Sequence, residues 1–153
     1  MVQASNQLKK VVVTGGNTGI GYAICKLCVE KHDCYVYMGS RDEAKGKAAI
    51  EQMNKECPAT VGKIEVLKVD VSSDKSVADA KVALEGRLGG QKLYGLVNNA
   101  GIGWGNTADA IMNTNVYGVK RMSEAFIPLL DASTGRVVNL GSGAGPMYVK
   151  KQD

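Results

Sequence analysis

Short apolar runs alternate along the chain with longer segments of helical periodicity. The apolar, β-branched runs that predict strands are residues 11–14, 35–38, 64–69, 93–97 and 136–140. The segments between them predict helices at about residues 19–31, 42–55, 74–88 and 107–130. Strands that alternate with helices are typical of βαβ units, in which a parallel sheet carries helices on both faces. The pattern therefore predicts an α/β fold with a doubly wound, Rossmann-type parallel sheet.

The polarity of the individual runs predicts the order of the strands. Val11 to Val13 is purely apolar and suits the centre of a sheet, whereas residues 64–69 carry charges at two of six positions and suit an edge. This agrees with the strand order 3-2-1-4-5. Residues 137–140 of the fifth strand also have the apolar pattern of an interior strand, yet the chain supplies no sixth strand to cover them. We expect a sheet that is incomplete at its C-terminal side.

Composition narrows the class of protein. A chain of 153 residues, 44% hydrophobic and 22% charged, suits one domain over residues 1–153. No apolar segment resembles a signal peptide or a membrane span, which leads us to expect a cytoplasmic protein without a membrane partner. The 19 basic and 15 acidic residues are dispersed, with a net charge of +4, so nucleic acid is not an expected partner.

The cysteines offer one candidate metal or redox site. Cys25 and Cys28 form a CxxC, with His32 and Cys34 close behind, but no second CxxC completes a set of four ligands. Cys25 and Cys28 also fall inside the apolar pattern of a helix, which favours reduced thiols packed against the core. We therefore predict no metal, and a metal or redox role is the alternative.

A glycine-rich loop, TGGNTGIG, follows the first predicted strand and precedes a helix. The general GxGxxG pattern fails because Ile24 occupies the third glycine position, and the pattern present is TGxxxGxG. Glycines allow a tight turn and let the backbone approach a pyrophosphate, which then lies at the N-terminus of a helix. The candidate phosphate-binding residues are Gly15, Asn17, Thr18, Gly19, Ile20 and Gly21. A tight turn without a ligand is the alternative.

The residues after the second strand bear on the identity of the nucleotide. A site for NAD carries an acidic residue about 20 positions past the glycine loop, whereas a site for NADP carries an arginine there for the 2′-phosphate. This chain has Ser40-Arg41 at that place. A charge-assisted hydrogen bond of about 1.5–3 kcal/mol would favour NADP roughly tenfold to a hundredfold. We predict NADP(H), and an Arg41 paired instead with Asp42 is the alternative.

Further motifs follow the other strands in a specific order. Asp70-Val71 follows the third strand, Asn98-Asn99-Ala100-Gly101 the fourth, and Ser142 the fifth, with Asn115 in the last helical region. Together with TGxxxGxG, this order resembles the short-chain dehydrogenase/reductase family from about Lys9 to Ser142. The segments TGGNTGIG, SRD, MNTNVYG and GRVVNLGS are most similar to its NADPH-dependent carbonyl reductase branch.

The resemblance implies roles for these residues. Asp70 would bond the adenine amino group, Val71 would use its backbone nearby, and the NNAG residues Asn98, Ala100 and Gly101 would line the inner ribose. A cap of the fourth strand is the other interpretation of NNAG. Members of the family transfer hydride between the nicotinamide and a carbonyl, with a tyrosine donating the proton and a lysine lowering the pKa of that tyrosine. The expected substrate class is a small carbonyl compound.

Two catalytic positions match the family. Ser142 corresponds to the serine that orients the substrate oxygen, with a turn serine as the alternative. Asn115 corresponds to the asparagine that relays protons. It shares a predicted helix face with Met112, Val119 and Met122, so a buried asparagine that only braces the helix is equally open.

The family's YxxxK pair does not follow Ser142. Tyr22 and Lys26 have that spacing, but they lie on the helix after the glycine loop, on the wrong side of the first strand. We therefore interpret the chain as a C-terminally truncated, NADP(H)-binding part of a reductase, with little or no activity of its own. One alternative is a non-catalytic binding module that self-associates through its fifth strand, and another is a makeshift pair of Tyr148 and Lys151.

Overall fold

The computed structural model describes residues 8–143 and residue 150. The strands are β1 (Lys9–Val13), β2 (Cys34–Ser40), β3 (Ile64–Lys68), β4 (Gly95–Asn98) and β5 (Arg136–Asn139). The α-helices are α1 (Gly19–His32), α2 (Glu43–Glu56), α3 (Asp74–Leu88), α4 (Ala108–Met112) and α5 (Gly118–Phe126). A π-helical turn, Asn113–Tyr117, joins α4 to α5, and 3₁₀ turns occupy Pro58–Thr60 and Ile127–Leu129.

The five strands form one parallel sheet in the order β3-β2-β1-β4-β5. Val12 of β1 pairs in register with Tyr37 of β2 on one side and Leu96 of β4 on the other. The predicted order is confirmed, with the apolar β1 at the centre and the charged β3 at an edge. The doubly wound fold is confirmed as well.

Alternate residues of the central strand enter two separate cores, because successive side chains point to opposite faces. Val12 packs with Leu84 of α3 and Phe126 of α5 on one face. Val11 and Val13 pack on the other face, where the helices contribute Cys25 and Val29 of α1 and Ala49 and Met53 of α2. The sheet is therefore covered by helices on both sides.

Strand β5 lies at the free edge of the sheet, and all four of its residues are exposed. Val138 retains 49% of its accessible surface. Within residues 8–143 no further strand pairs with the outer side of β5. The predicted incomplete sheet is therefore confirmed, and its apolar last strand forms an edge rather than an interior position.

The last helical segment differs from the uninterrupted helix predicted at residues 107–130. It contains a π-helical turn between α4 and α5, and Asn115 is the middle residue of that turn. At the start of this turn, Arg121 Nη1 donates to the carbonyl of Asn113 at 3.2 Å. Insertion of a side chain into the helical ladder is a common cause of such irregularities.

The structure also locates the cysteines. Cys25 is buried and Cys28 is half-buried on α1, while Cys34 and Cys57 are buried, and all four are free thiols. Burial raises the pKa of the Cys25 and Cys28 thiols. Across the described part of the chain, no three histidine, cysteine or carboxylate side chains are placed to hold a metal ion. None of the helices in this part has the length and apolar character needed to cross a bilayer.

Candidate nucleotide-binding site

A cavity of about 580 Å³ lies outside the carboxyl ends of strands β1 to β4. This is where open α/β sheets bind their ligands. The predicted site residues that line it are Gly15, Asn17, Thr18, Gly19, Ile20, Gly21, Arg41, Asp70, Val71, Ala100 and Gly101. The structure thus gathers predicted residues from four separate segments of the sequence around one cavity.

The glycines of the first loop are required by its geometry. Gly15 and Gly19 have φ angles of +63° and +54°, which side-chain-bearing residues rarely adopt. A Cβ atom on Gly21 would lie 2.3 Å from the carbonyl oxygen of Gly15. The loop therefore needs glycine for its turn at two positions and for close packing at a third.

The loop delivers the N-terminus of α1 to the cavity. Thr18 is the N-cap with an extended backbone, and its side chain makes no capping hydrogen bond. The first turn of α1 contains no acidic residue, whereas the last turn carries Lys31 and His32. The first amide groups of a helix lack intrahelical partners, and the helix dipole favours an anion there. This end of α1 is suited to a phosphate group.

Thr14 and Asn99 fasten the glycine loop to the end of β4. Thr14 Oγ1 accepts hydrogen bonds from the backbone amides of Asn99 and Ala100, both at 3.0 Å. Asn99 Nδ2 donates to the carbonyls of Thr14 at 2.9 Å and Gly15 at 3.2 Å. Thr14 and Asn99 were not among the predicted site residues, although they belong to the TGxxxGxG and NNAG motifs. They set the relative position of two walls of the cavity.

Asp70 and Val71 line the cavity with a hydrogen-bond acceptor and a hydrogen-bond donor, respectively. Asp70 Oδ1 accepts from the amide and the hydroxyl of Ser72, at 2.9 and 2.6 Å, which leaves Oδ2 to accept a further bond. The backbone N–H of Val71 donates to no acceptor within the described residues. An acceptor beside a donor matches the amino group and ring nitrogen of adenine.

Arg41 is an exposed cation at the cavity, and the alternative pairing with Asp42 is wrong. Asp42 instead caps α2, its Oδ1 accepting from the backbone amide of Lys45 at 3.0 Å. In the part of the chain that the structure describes, Arg41 makes no ion pair or side-chain hydrogen bond. Lys45 also lines the cavity. The positive charge of Arg41 is therefore available to an anionic ligand.

The structure corrects the expected placement of Asn98. Its side chain is only 3% exposed and does not line the cavity. Asn98 Nδ2 donates to Asn139 Oδ1 of β5 at 2.8 Å and to Ser123 Oγ of α5 at 3.3 Å. The side chain therefore braces β4 against its neighbours, because it points into the protein, and Asn99 takes the place on the cavity wall.

The two candidate catalytic residues lie outside the cavity lining. Asn115 is exposed rather than buried, and its side chain makes two hydrogen bonds to the backbone of Ile102. Asn115 Oδ1 accepts from the backbone N–H of Ile102 at 2.9 Å, and Asn115 Nδ2 donates to the carbonyl of Ile102 at 2.8 Å. Ile102 itself lines the cavity. Ser142 follows β5 and is exposed. The suggested pair of Tyr148 and Lys151 lies outside the described residues.

Tyr22 and Lys26, which have the YxxxK spacing, bind a structural partner. Tyr22 Oη donates to Glu56 Oε2 at 3.1 Å, and Lys26 Nζ reaches the same oxygen at 3.2 Å, joining α1 to α2. Burial and the Glu56 carboxylate raise the pKa of Tyr22, the opposite of what a catalytic tyrosine needs. Neither residue lines the cavity, which agrees with the prediction that this pair is not the catalytic one.

Fold and site together define a Rossmann-type domain with a nucleotide-sized cavity at the carboxyl ends of its strands. The chain matches the short chain dehydrogenase family model over residues 9–152, and it belongs to that family. Its members are oxidoreductases, and the recognition made from the sequence motifs is confirmed.

Several relatives resemble the chain over most of its length. It is 34% identical to (+)-neomenthol dehydrogenase of Arabidopsis thaliana, over 89% of this chain and 54% of that protein. It is 30% identical to carbonyl reductase (NADPH) 1 of Bos taurus, over 92% of this chain and 48% of that protein. The chain thus spans about half the length of these relatives.

Solved structures have a similar backbone fold. A complex of Pseudomonas aeruginosa RhlG with NADP superposes with a TM-score of 0.76 at 29% identity, over 90% of this chain and 56% of that one. Menthone neomenthol reductase from Mentha piperita gives a TM-score of 0.75 at 30% identity, over 90% and 61% of the two chains.

Proposed function

We propose that this chain is the NADP(H)-binding part of a reductase that transfers hydride to the carbonyl group of a small molecule. The observation that carries the proposal is Arg41, an exposed guanidinium at the cavity with no acidic partner among the described residues. An arginine at the end of the second strand fits the 2′-phosphate that distinguishes NADP from NAD. An acidic residue there would repel it.

The remaining walls fit the other parts of the dinucleotide. Asp70 Oδ2 would accept from the adenine amino group while the N–H of Val71 donates to the ring. The N-terminus of α1 would hold the pyrophosphate, and Lys45 adds a second positive charge on the side of Arg41. Ile20, which lines the cavity and is 68% exposed, offers apolar surface to the ligand.

Two relatives support this assignment by their names. RhlG was solved with NADP, and the bovine relative is a carbonyl reductase named for NADPH. When bound, the reduced nicotinamide supplies the hydride. In this chain Ser142 would orient the carbonyl oxygen by a hydrogen bond. Asn115 would anchor the loop at Ile102 and hold a proton-relaying position beside it.

Proton donation is the step for which this chain offers no residue in the expected place. A catalytic tyrosine needs a lysine four residues later on the same helix face to lower the pKa of its hydroxyl. After Ser142 the sequence has no such pair, and Tyr22 and Lys26 are bound to Glu56. We propose that this chain binds NADPH without turnover and that catalysis belongs to a longer chain.

A titration followed by a turnover assay tests the proposal. Trp104 is the sole tryptophan, and its loop begins at the cavity-lining residues Gly101 and Ile102, so energy transfer from Trp104 to NADPH reports binding. We expect tighter binding of NADPH than of NADH, and no NADPH oxidation when a reactive quinone or aldehyde is added. Equal affinity for the two nucleotides would contradict the cofactor assignment, and turnover would contradict the catalytic one.

A matched pair of variants isolates the proposed charge. Arg41→Ala removes the cation at the cavity, whereas Lys47→Ala removes a cation of the same helix region that is paired with Glu43 and does not line the cavity. Only Arg41→Ala should weaken NADPH binding. A similar loss in both variants would mean that net charge, rather than a 2′-phosphate site, governs affinity.

A second candidate is a non-catalytic NADP(H)-binding module that self-associates through β5. The observation in its favour is the exposed edge, where Val137 and Val138 are 38% and 49% exposed. An uncovered apolar edge is also an aggregation hazard. Light scattering separates the two, since a defined dimer supports a module and ill-defined particles support a part of a longer chain.

A further inference from the structure

Arg121 of α5 binds backbone and side-chain acceptors from three different elements. Its Nη1 donates to the carbonyls of Val71, at 3.5 Å, and Asn113, at 3.2 Å. Its Nε donates to the carboxylate of Asp74 at the start of α3. The side chain of Arg121 is 22% exposed, so most of its surface is covered by the protein.

The two carbonyls belong to segments that form the cavity. Val71 and Ser72 line it from the loop between β3 and α3, and Thr114, next to Asn113, lines it from the π-helical turn. A second bond joins the same segments directly, from Asn113 Nδ2 to the carbonyl of Ser72 at 3.1 Å. Arg121 is therefore placed where these two walls of the cavity meet.

We infer that Arg121 is a positioning residue of the nucleotide site, holding the Val71 wall and the Thr114 wall at a fixed separation. The inference rests on the proposed function, because it assigns Arg121 to the same cavity. Arg121 does not line the cavity, and it would act on the site through the backbone carbonyls of Val71 and Asn113. By holding the carbonyl of Val71, it fixes the direction of the loop that carries the free N–H of Val71 and the carboxylate of Asp70.

The chemistry of the side chain explains why arginine is needed. A guanidinium has several donors in one rigid plane, so it can bind a carboxylate and two carbonyls at once. An ammonium is a compact charge on a flexible stem, and it would keep the attraction to Asp74 without spanning both carbonyls. Because Asp74 is 85% exposed, water and salt screen that ion pair.

This separates a positioning role from a simple brace between α3 and α5. If Arg121 served only to pair with Asp74, a lysine at position 121 would keep nucleotide binding intact. Loss of Asp74 would then weaken binding as much as loss of Arg121. If the carbonyl bonds set the site, Arg121→Lys would fail to rescue binding and Asp74→Asn would be mild. The two roles therefore predict opposite results for Arg121→Lys and Asp74→Asn. A brace predicts that only Asp74→Asn weakens nucleotide binding, and a positioning role predicts that mainly Arg121→Lys does.

The test is an NADPH titration of the 153-residue chain and of Arg121→Gln, Arg121→Lys and Asp74→Asn, with thermal unfolding of each. Lys120→Gln is the matched control, because it removes a neighbouring cation whose partner is the exposed Glu124. We expect both Arg121 variants to raise the Kd for NADPH roughly tenfold, because losing the net contribution of one hydrogen bond lowers an affinity about tenfold. Asp74→Asn and Lys120→Gln should stay within about twofold.

Wild-type affinity in Arg121→Lys, or an equal loss in Asp74→Asn, would overturn the positioning role. A wild-type chain that does not bind NADPH would overturn the proposed function and this inference with it. If the Arg121 variants do not fold, Asn113→Ala decides, because it removes only the bond from Asn113 Nδ2 to Ser72. A raised Kd for NADPH in that variant supports the inference that the contact between the Val71 wall and the Thr114 wall positions the site. An unchanged Kd contradicts that inference.

Discussion

Replacing Thr14 by valine would remove the hydroxyl that holds the glycine loop to the end of β4 while keeping the shape of the side chain. Thr14 is 1% exposed, and its Oγ1 accepts from the amides of Asn99 and Ala100 and donates weakly to the carbonyl of Val97 at 3.4 Å. A valine offers no acceptor. The two amides would then face a methyl group in a place where water has little access.

The expected cost follows from these two amides. Leaving a buried donor without an acceptor costs about 1–3 kcal/mol. Asn99 and Ala100 are only partly buried, so we take the lower half of that range for each, or about 2–4 kcal/mol together. With a slope of roughly 2 kcal/mol per molar urea, the unfolding midpoint should fall by about 1–2 M. Such a loss is large against a total stability of about 5–15 kcal/mol.

Urea unfolding followed by far-ultraviolet circular dichroism measures this change. Trp104 is a poor reporter of unfolding because it is already fully exposed in the folded chain. Thr14→Ser is the control, since it keeps the acceptor and removes one methyl group, at a cost of about 0.8 kcal/mol. Equal urea midpoints for Thr14→Val and Thr14→Ser would refute the reasoning, because the hydroxyl of Thr14 would then contribute nothing to stability.

Three further outcomes follow from the structure. Gly21→Ala should cost about 1–3 kcal/mol and weaken NADPH binding, because its Cβ would meet the carbonyl of Gly15 at 2.3 Å; unchanged melting and binding would contradict this packing. Burial, with Cys34 nearby, raises the pKa of Cys28 to about 11, so alkylation of Cys28 should be slow at neutral pH and rise about tenfold per pH unit towards that value. Fast labelling at neutral pH that is lost in Cys28→Ser would argue against it. Val138→Lys on the exposed edge should reduce association in light scattering with little change in stability, and particles of unchanged size would exclude β5 as the contact.

Much of the sheet could be predicted from the sequence because the polarity of β1 and β3 matches their positions, whereas the apolar β5 reads as interior and lies at an edge. Val11 to Val13 is buried between two neighbours, while the charged residues Glu65 and Lys68 fall on the edge strand β3. Much of the cavity lining could also be predicted, because the glycine loop imposes strict local requirements. In the glycine loop, Gly15 and Gly19 have positive φ and Gly21 has no room for a Cβ, and such requirements leave a recognisable sequence pattern.

Contacts between distant segments could not be predicted in the same way. Nothing local to Asn98 indicates that its amide turns inward to Asn139, whereas its neighbour Asn99 turns to the glycine loop. Arg121 reads as one of many surface cations until the π-helical turn brings the carbonyl of Asn113 beside it. The turn itself interrupts a segment whose periodicity predicts a continuous helix. These features depend on tertiary packing, which sequence periodicity does not encode.

The proposed function requires the cavity to recognise the 2′-phosphate of NADP(H) through Arg41. Calorimetric titration with 2′,5′-ADP and with 5′-AMP isolates this interaction, because the two ligands differ only in the 2′-phosphate and neither requires a complete catalytic site. We predict that 2′,5′-ADP binds at least about tenfold more tightly and that Arg41→Ala abolishes the difference. Equal binding of the two ligands by the unsubstituted chain would contradict a 2′-phosphate site at Arg41.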